Sequence, residues 1–322
     1  MTPESPTISL PEITVATFYK FVPLPDFAEM RKPFRDLCNS EEVYGTILLS
    51  PEGVNATIAG PRSGVANVLA RLRSDPRLND LEHKESVTHE MPFRRMKVRL
   101  KKEIMGLGQP LTNPLNTVGH YVKPEDWNSL IQDPDVLLID TRNDYEVAVG
   151  TFPGAIDPHL KTFREFAEFV AENLDRTKHT KVAMFCTGGI RCEKASSFML
   201  DHGFPEVFHL QGGILKYLET VPSEQSLWAG ECFVFDERVA VDHGLKATGL
   251  QRCFGCGSPT TEDDRLSEKF EAGISCPACH DVMTPKARAR REMRQAQHQM
   301  KHKKQDAAEK CGASAKRTSH DQ

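Results

Sequence analysis

Twenty residues, Lys181–Leu200 (KVAMFCTGGIRCEKASSFML), constrain the fold of this chain more than any other stretch. They open with an apolar run, Val182–Phe185, of a length that suits a buried strand. They run on into Glu193–His202, where Ala195, Phe198, Met199 and His202 recur at helical spacing. Between the two lie Cys186, Thr187, Gly188, Gly189, Ile190 and Arg191. Glycines let the backbone curl so that successive N–H groups point inward as an anion-binding nest. The helix N-terminus adds partial positive charge, and Arg191 a full one. Each favours thiolate over thiol, so the ordinary cysteine pKa of about 8.5 should fall at Cys186. The alternative, a buried structural cysteine beside an ordinary turn, leaves the two glycines and Arg191 without a purpose.

The loop from Cys186 to Arg191 resembles the active-site loop of the rhodanese superfamily, in which the first cysteine carries a persulfide. It has the sulfurtransferase length; the related dual-specificity phosphatases use a loop one residue longer. The flanks share the resemblance: Leu137–Arg142 (LLIDTR), Tyr145, Glu146, Gly150, Phe152–Ala155 (FPGA) and His209–Ile214 (HLQGGI). The longer string CTGGIRCEK, with a domain on either side, is similar to the prokaryotic tRNA uridine hydroxylase family. Those rhodanese-domain proteins install 5-hydroxyuridine at the tRNA wobble position using oxygen. The resemblance runs from about Val15 to the CxxC pairs. It implies tRNA as partner, molecular oxygen as co-substrate, and catalysis at Cys186 as thiolate or persulfide. Arg191 and the loop amides of Thr187, Gly188, Gly189 and Ile190 would hold the sulfur anion.

The chain has 322 residues, too many for one typical domain. Its net charge of −4 leaves any RNA footprint local. No apolar run approaches the length of a membrane span, and MTPESPTISLPEI lacks the basic and apolar segments of a secretory signal. Nine cysteines, four of them in two CxxC pairs, fit a reducing cytoplasm better than a disulfide framework. Oligomeric state is not encoded in any of these features.

Met1–Glu12 is polar and reads as a mobile tail. Over residues 13–112, strands at Ile13–Val22, Thr46–Ser50, Val54–Ala59 and Phe93–Leu100 and helices at Phe27–Ser40 and Ser63–Arg73 spell βαββαβ, the ferredoxin-like (acylphosphatase-like) order. Cys38 falls in the first helix as a small core residue. In the last strand, period two puts Arg95, Lys97, Arg99 and Lys101 on one face and Met96, Val98 and Leu100 on the other. The basic face suits either an RNA phosphate backbone or a solvated sheet edge. Lys101–Thr117, punctuated by Gly and Pro, reads as a linker.

A rhodanese-like α/β domain is expected over 118–222, with strands at Val136–Asp140 and Lys181–Phe185 around a helical Phe163–Leu174. Ligands in such parallel sheets sit at the carboxyl ends of the strands, where Asp140 and Cys186 both fall. Asp140 and Arg142 resemble the positions that brace the rhodanese loop, or form a plain ion pair at the domain rim. Cys192 is either a resolving thiol for Cys186 or a small residue packed beneath the loop.

A cysteine-rich extension, 223–285, begins with a strand-like run from Cys232 and holds Cys253, Cys256, Cys276 and Cys279 as C-x2-C-x19-C-x2-C. That spacing suits a structural zinc site, with a disulfide pair or bare thiols as alternatives and His243 and His280 as substitute ligands. Residues 286–322 form a basic stretch and a tail. Lys286–Lys304 carries eight Lys or Arg against one Glu, a basic helix for RNA or a solvated tail. Ala307–Gln322 reads as disordered, and Cys311 has no visible role.

Three function classes follow: a tRNA wobble-uridine hydroxylase, a sulfurtransferase passing sulfane sulfur from Cys186, and an RNA-binding protein on a rhodanese scaffold. Intact Cys186 and Arg191 argue against the third, and basic stretches in both flanking domains favour RNA over a small acceptor. No haem motif, dinucleotide fingerprint or triad of two histidines and a carboxylate is legible, so no organic cofactor is recognised.

Overall fold

The computed structural model describes residues 12–297 and 300. Expectations for Met1–Pro11, most of Lys286–Lys304 beyond Gln297, Ala307–Gln322 and Cys311 lie outside the described residues.

The first sheet is built from alternation. In β1 (Ile13–Phe21), Ala16 and Phe18 face a helical layer while Thr17 and Tyr19 face away from it. Then come α1 (Phe27–Ser40), β2 (Tyr44–Ser50), β3 (Gly53–Gly60), α2 (Arg62–Arg73), β4 (Lys84–Thr88) and β5 (Met96–Leu100). The sheet order is β4-β1-β3-β2-β5, with every pairing antiparallel except β2 with β5. Phe34 and Cys38 of α1 and Val65, Val68 and Leu72 of α2 pack on Ala16, Phe18, Ile47, Leu49 and Val98. Both helices of this domain therefore pack on one face of the sheet.

The strand pattern needs one correction. The fourth ferredoxin-like strand is Lys84–Thr88, on the edge beside β1, and the expected last strand is a fifth at the opposite edge. Lys84–Thr88 (KESVT) escapes a hydrophobic scan because its one apolar residue, Val87, is exposed. Residues 101–117 hold no regular element, yet they are more than a linker. Ile104 and Leu107 are buried, and Glu103 turns inward to the next domain.

That domain comprises β6 (His120–Val122), α3 (Pro124–Ile131), β7 (Val136–Asp140), α4 (Asp144–Val147), β8 (Gly150–Thr151), α5 (Phe166–Asn173), β9 (Lys181–Phe185), α6 (Ile190–Asp201), β10 (Glu206–Leu210) and α7 (Gly213–Thr220). Its parallel sheet runs β6-β10-β9-β7. Phe166, Val170, Ala195 and Phe198 fill one face; Trp127, Phe152, Tyr217 and Trp228 fill the other. The compact unit that holds both sheets runs on to Thr248. Trp228, Cys232, Val234, Val241 and Leu245 belong to the Phe152–Phe185 core, so burial continues beyond the polar turn at Ser223.

The two sheets are pinned together at α6. Lys194, 1% exposed, reaches both carboxylate oxygens of Glu52 at 2.9 Å, Glu103 at 2.7 Å and the Met105 carbonyl at 2.9 Å. A buried ammonium with that many acceptors fixes the first domain against the helix that follows Cys186.

The second compact unit starts at Gly249. Gln251–Arg252 pairs with Pro259–Thr260, Pro277–His280 forms one helical turn, and residues 285–297 are helical. Its apolar cluster is Cys253, Cys276 and Cys279 with Phe270. No helix among the described residues is long and apolar enough to cross a membrane.

Candidate active site and cysteine cluster

Cys186 follows the last residue of β9 and lies at the floor of the loop, 1% exposed. The Gly189 N–H donates to its Sγ at 3.1 Å. Gly189 has φ +105°, and a Cβ there would stand 2.8 Å from the Tyr19 hydroxyl, so only glycine serves. The loop is anchored from behind by α7: Ile214 N–H donates to the Cys186 carbonyl and Leu215 N–H to that of Thr187. Gly213 (φ +67°) allows this approach, since a Cβ would lie 2.5 Å from the Cys186 carbonyl. Ile190 opens α6, which places Arg191 and Cys192 in its first turn.

Burial alone would push the Cys186 thiol up. A hydrogen bond from the Cys192 thiol, the Arg191 charge and the backbone N–H groups of Cys192 and Gly189 outweigh it and bring Cys186 down to about 5. Burial and the adjacent anion push Cys192 well above the ordinary range. Cys192 is thus both packed beneath the loop and aimed at Cys186; Thr141 Oγ1 lies 3.4 Å from its sulfur.

Arg191 does not point its donors at the sulfur. They form a fork on Glu146, at 2.6 and 2.7 Å, in a buried bidentate pair. Glu146 also accepts from Thr187 Oγ1 at 3.1 Å and from the Asn143 N–H at 3.2 Å. Burial opposes its charge, but the Arg191 guanidinium holds the carboxyl below its usual range. The Asp140–Arg142 pair is not at a rim: both side chains are fully buried, joined at 2.6 and 2.8 Å. Arg142 also donates to the carbonyls of Glu146 and Gly150, so the chain of contacts runs Asp140, Arg142, Glu146, Arg191, loop.

Above Cys186 is a cavity of about 320 Å³, within the small-molecule range. Its roof is the face of the first sheet turned away from α1 and α2: Thr17, Tyr19, Asn55, Thr57 and Lys84. Phe235, 57% exposed, forms part of the wall, with the Arg191 guanidinium 5.9 Å from its ring centre. Lys84 donates to the Gly188 carbonyl at 3.0 Å, and burial lowers its pKa despite the nearby Cys186 anion. The Tyr19 hydroxyl donates to Glu193 at 2.6 Å. Burial raises Glu193, against hydrogen bonds from Tyr19 and Tyr121. A larger depression of about 690 Å³ beside Ala167, Val170 and Phe198 is lined by no cysteine, serine or threonine.

Sequence reasoning gave no role to Glu146, Lys84, Tyr19, Glu193 or Phe235. Glu146 had a signal: Asn143 and Glu146 stand three apart at a helix start, as in a capping box. Tyr19 and Lys84 had none, because they arrive from another domain. Lys97 and Arg99 lie on β5 with Arg95 and Lys101 flanking it, at the sheet edge opposite β4, and none of the four lines the cavity.

In the second unit, the sulfurs of Cys253, Cys256, Cys276 and Cys279 lie within 4.8 Å of one another, a cluster that could hold a metal ion. Cys256–Cys276 is 3.7 Å and Cys276–Cys279 is 3.9 Å. Thiolates sharing one tetrahedral zinc at about 2.3 Å stand about 3.8 Å apart. No histidine among the described residues joins the cluster: His243 belongs to the first unit and His280 lies 2.9 Å from Asp281. The basic helix contributes to this packing. Arg291 donates to the Ile274 carbonyl at 3.0 Å and to Cys279 Sγ at 3.4 Å, and Arg288 pairs with Glu271 at 2.6 Å.

Residues 13–104 match the UPF0176 acylphosphatase like domain, and residues 123–220 the rhodanese-like domain. The chain is 54% identical over 288 residues to a protein of Picosynechococcus sp. named tRNA uridine(34) hydroxylase, covering 89% of this chain and 97% of that one. A human single-domain sulfurtransferase overlaps 32% of this chain and 97% of its own, at 21% identity and a TM-score of 0.26. A rhodanese-like domain protein of Staphylococcus aureus overlaps 30% and 90%, at 18% identity and a TM-score of 0.25.

Proposed function

The chain belongs to the tRNA uridine(34) hydroxylase family, and we propose that it converts the wobble uridine of tRNA to 5-hydroxyuridine in the cytoplasm, with Cys186 as the reacting group. The observation that carries the assignment of the site is a thiolate held at the floor of a cavity roofed by a second domain. Uracil C5 is a poor nucleophile until something adds at C6. Addition of the Cys186 thiolate would form an S–C6 bond and leave C5 as the nucleophilic carbon of an enolate. Transfer of one dioxygen atom to C5 takes two electrons and two protons from an external dithiol or reduced nicotinamide, which release the other atom as water, and loss of the C5 proton with expulsion of the thiolate restores the ring. The Cys192 thiol, Arg191 and the N–H groups of Cys192 and Gly189 stabilise the sulfur anion before attack and after release. Phe235 and Tyr19 offer aromatic surface to a planar base. A persulfide carrier could use the same thiolate, but a small acceptor would have no use for that roof. Nucleoside mass spectrometry of tRNA from cells with and without the gene tests the assignment. 5-Hydroxyuridine should vanish from the deletion strain and return with the gene; equal levels in both would overturn it.

The four cysteines of the second unit fit a structural zinc, and the reading assigns them no step in the reaction. Purified protein should carry about one zinc per chain, and a chelator should loosen the second unit while leaving the rhodanese-like fold in place. Metal analysis finding none, with all four thiols open to titration, would remove the metal.

A further inference from the structure

Strand register extends the roof of the cavity well beyond it. Lys84 on β4 pairs with Thr17 on β1, Thr17 with Thr57 on β3, Thr57 with Thr46 on β2, and Thr46 with Lys97 on β5. Directly paired residues share a face. One row, Lys-Thr-Thr-Thr-Lys, therefore crosses all five strands on the face turned away from α1 and α2. At about 4.8 Å per strand it is about 19 Å long. The next row, Tyr19, Asn55, Leu48 and Arg99, runs beside it. Thr17, Thr57 and Lys84 line the Cys186 cavity, while Thr46 and Lys97 lie beyond it. The three threonines are half-buried, and the hydroxyls of Thr17 and Thr57 are 3.2 Å apart.

We propose that this threonine-floored lane holds the single-stranded RNA next to the reacting nucleotide, leading the strand from the basic edge at Lys97 and Arg99 into the cavity over Cys186. The inference rests on the hydroxylase reading for the identity of the RNA. Three features favour RNA over a protein partner. Hydroxyls and lysines are the groups that contact phosphate and ribose. The floor is of small polar residues rather than an apolar surface. The lane is also continuous with the cavity, so a polymer with one unit over Cys186 must leave along some wall, and this one is basic at its far end. Its length suits a few nucleotides of extended strand.

The test uses the full chain and a fluorescein-labelled seven-nucleotide RNA centred on uridine, read by anisotropy, beside steady-state kinetics on whole tRNA. Thr46→Glu and Lys97→Glu block the lane without touching the cavity. Lys32→Glu, on the exposed side of α1 across the sheet, controls for bulk charge. Each lane variant should weaken RNA binding about tenfold and flatten its log–log salt dependence by about one. KM for tRNA should rise with kcat little changed, and the Lys32 variant should stay within twofold of wild type. Wild-type affinity in both lane variants, or an equal loss in all three, would overturn the lane. If Thr46→Glu fails to fold, Lys97→Glu on the edge strand decides alone. Wild-type protein that binds the RNA through the lane but yields no 5-hydroxyuridine would sink the hydroxylase reading and leave the lane standing.

Discussion

Cys186→Ser should abolish 5-hydroxyuridine formation, a loss on the order of a thousandfold or more, with the fold unchanged. The side chain is 1% exposed and its neighbours tolerate an isosteric hydroxyl, so stability should hold. A serine hydroxyl, however, stays protonated where the thiol is held at about 5. Cys192 separates support from chemistry. Cys192→Ser keeps a donor beneath Cys186 and should retain partial activity; Cys192→Ala removes it. The working form is the deprotonated one, so activity is lost as pH falls through the Cys186 pKa. Wild-type kcat/KM should be flat from neutral pH down to about 5 and drop below it. In Cys192→Ala the drop should move to higher pH, because the first hydrogen bond favouring the thiolate is gone. If the Cys192→Ser and Cys186→Ser variants were equally dead, Cys192 would share the chemistry. Full activity in Cys186→Ser would place the reaction elsewhere.

The part of the site legible in sequence is the part that is local. Cys186, its glycines and the start of α6 sit within one strand–turn–helix, and the two CxxC pairs announce themselves by spacing. The ferredoxin-like order was legible from buried strands, whereas Lys84–Thr88 was not, since its one apolar residue, Val87, is exposed and leaves no periodic trace. What escaped is tertiary. Lys84 reaches the Gly188 carbonyl across 104 positions and Tyr19 reaches Glu193 across 174. Lys194 looked like one more charge in CTGGIRCEK until Glu52 and Glu103 surrounded it. The stretch that follows the rhodanese-like match is tertiary in the same way: Trp228 and Val241 join the core of Phe152 and Phe185, a contact that no local pattern announces.

The buried pair of Arg191 and Glu146 offers a way to tell bracing from electrostatics. Arg191→Met leaves Glu146 buried without its partner and should destabilise the protein by about 3–5 kcal/mol at neutral pH. The penalty should shrink in acid. In the wild type the Glu146 pKa is lowered, so its stabilisation is present above the ordinary value of 4.5 and is lost as pH falls through the lower folded value. Without Arg191, burial raises it instead, and protonation relieves the strain as pH drops. Replacing both residues, Arg191→Met with Glu146→Leu, removes the orphaned charge and should recover most of the stability. Activity should not recover, because Cys186 has lost the cation that helps hold it as thiolate. Urea midpoints across pH, set beside product formation by the three variants, resolve the roles. A double variant that is stable and nearly as active as wild type would reduce Arg191 to a brace, leaving the Cys192 thiol and the backbone N–H groups of Cys192 and Gly189 to hold the sulfur anion.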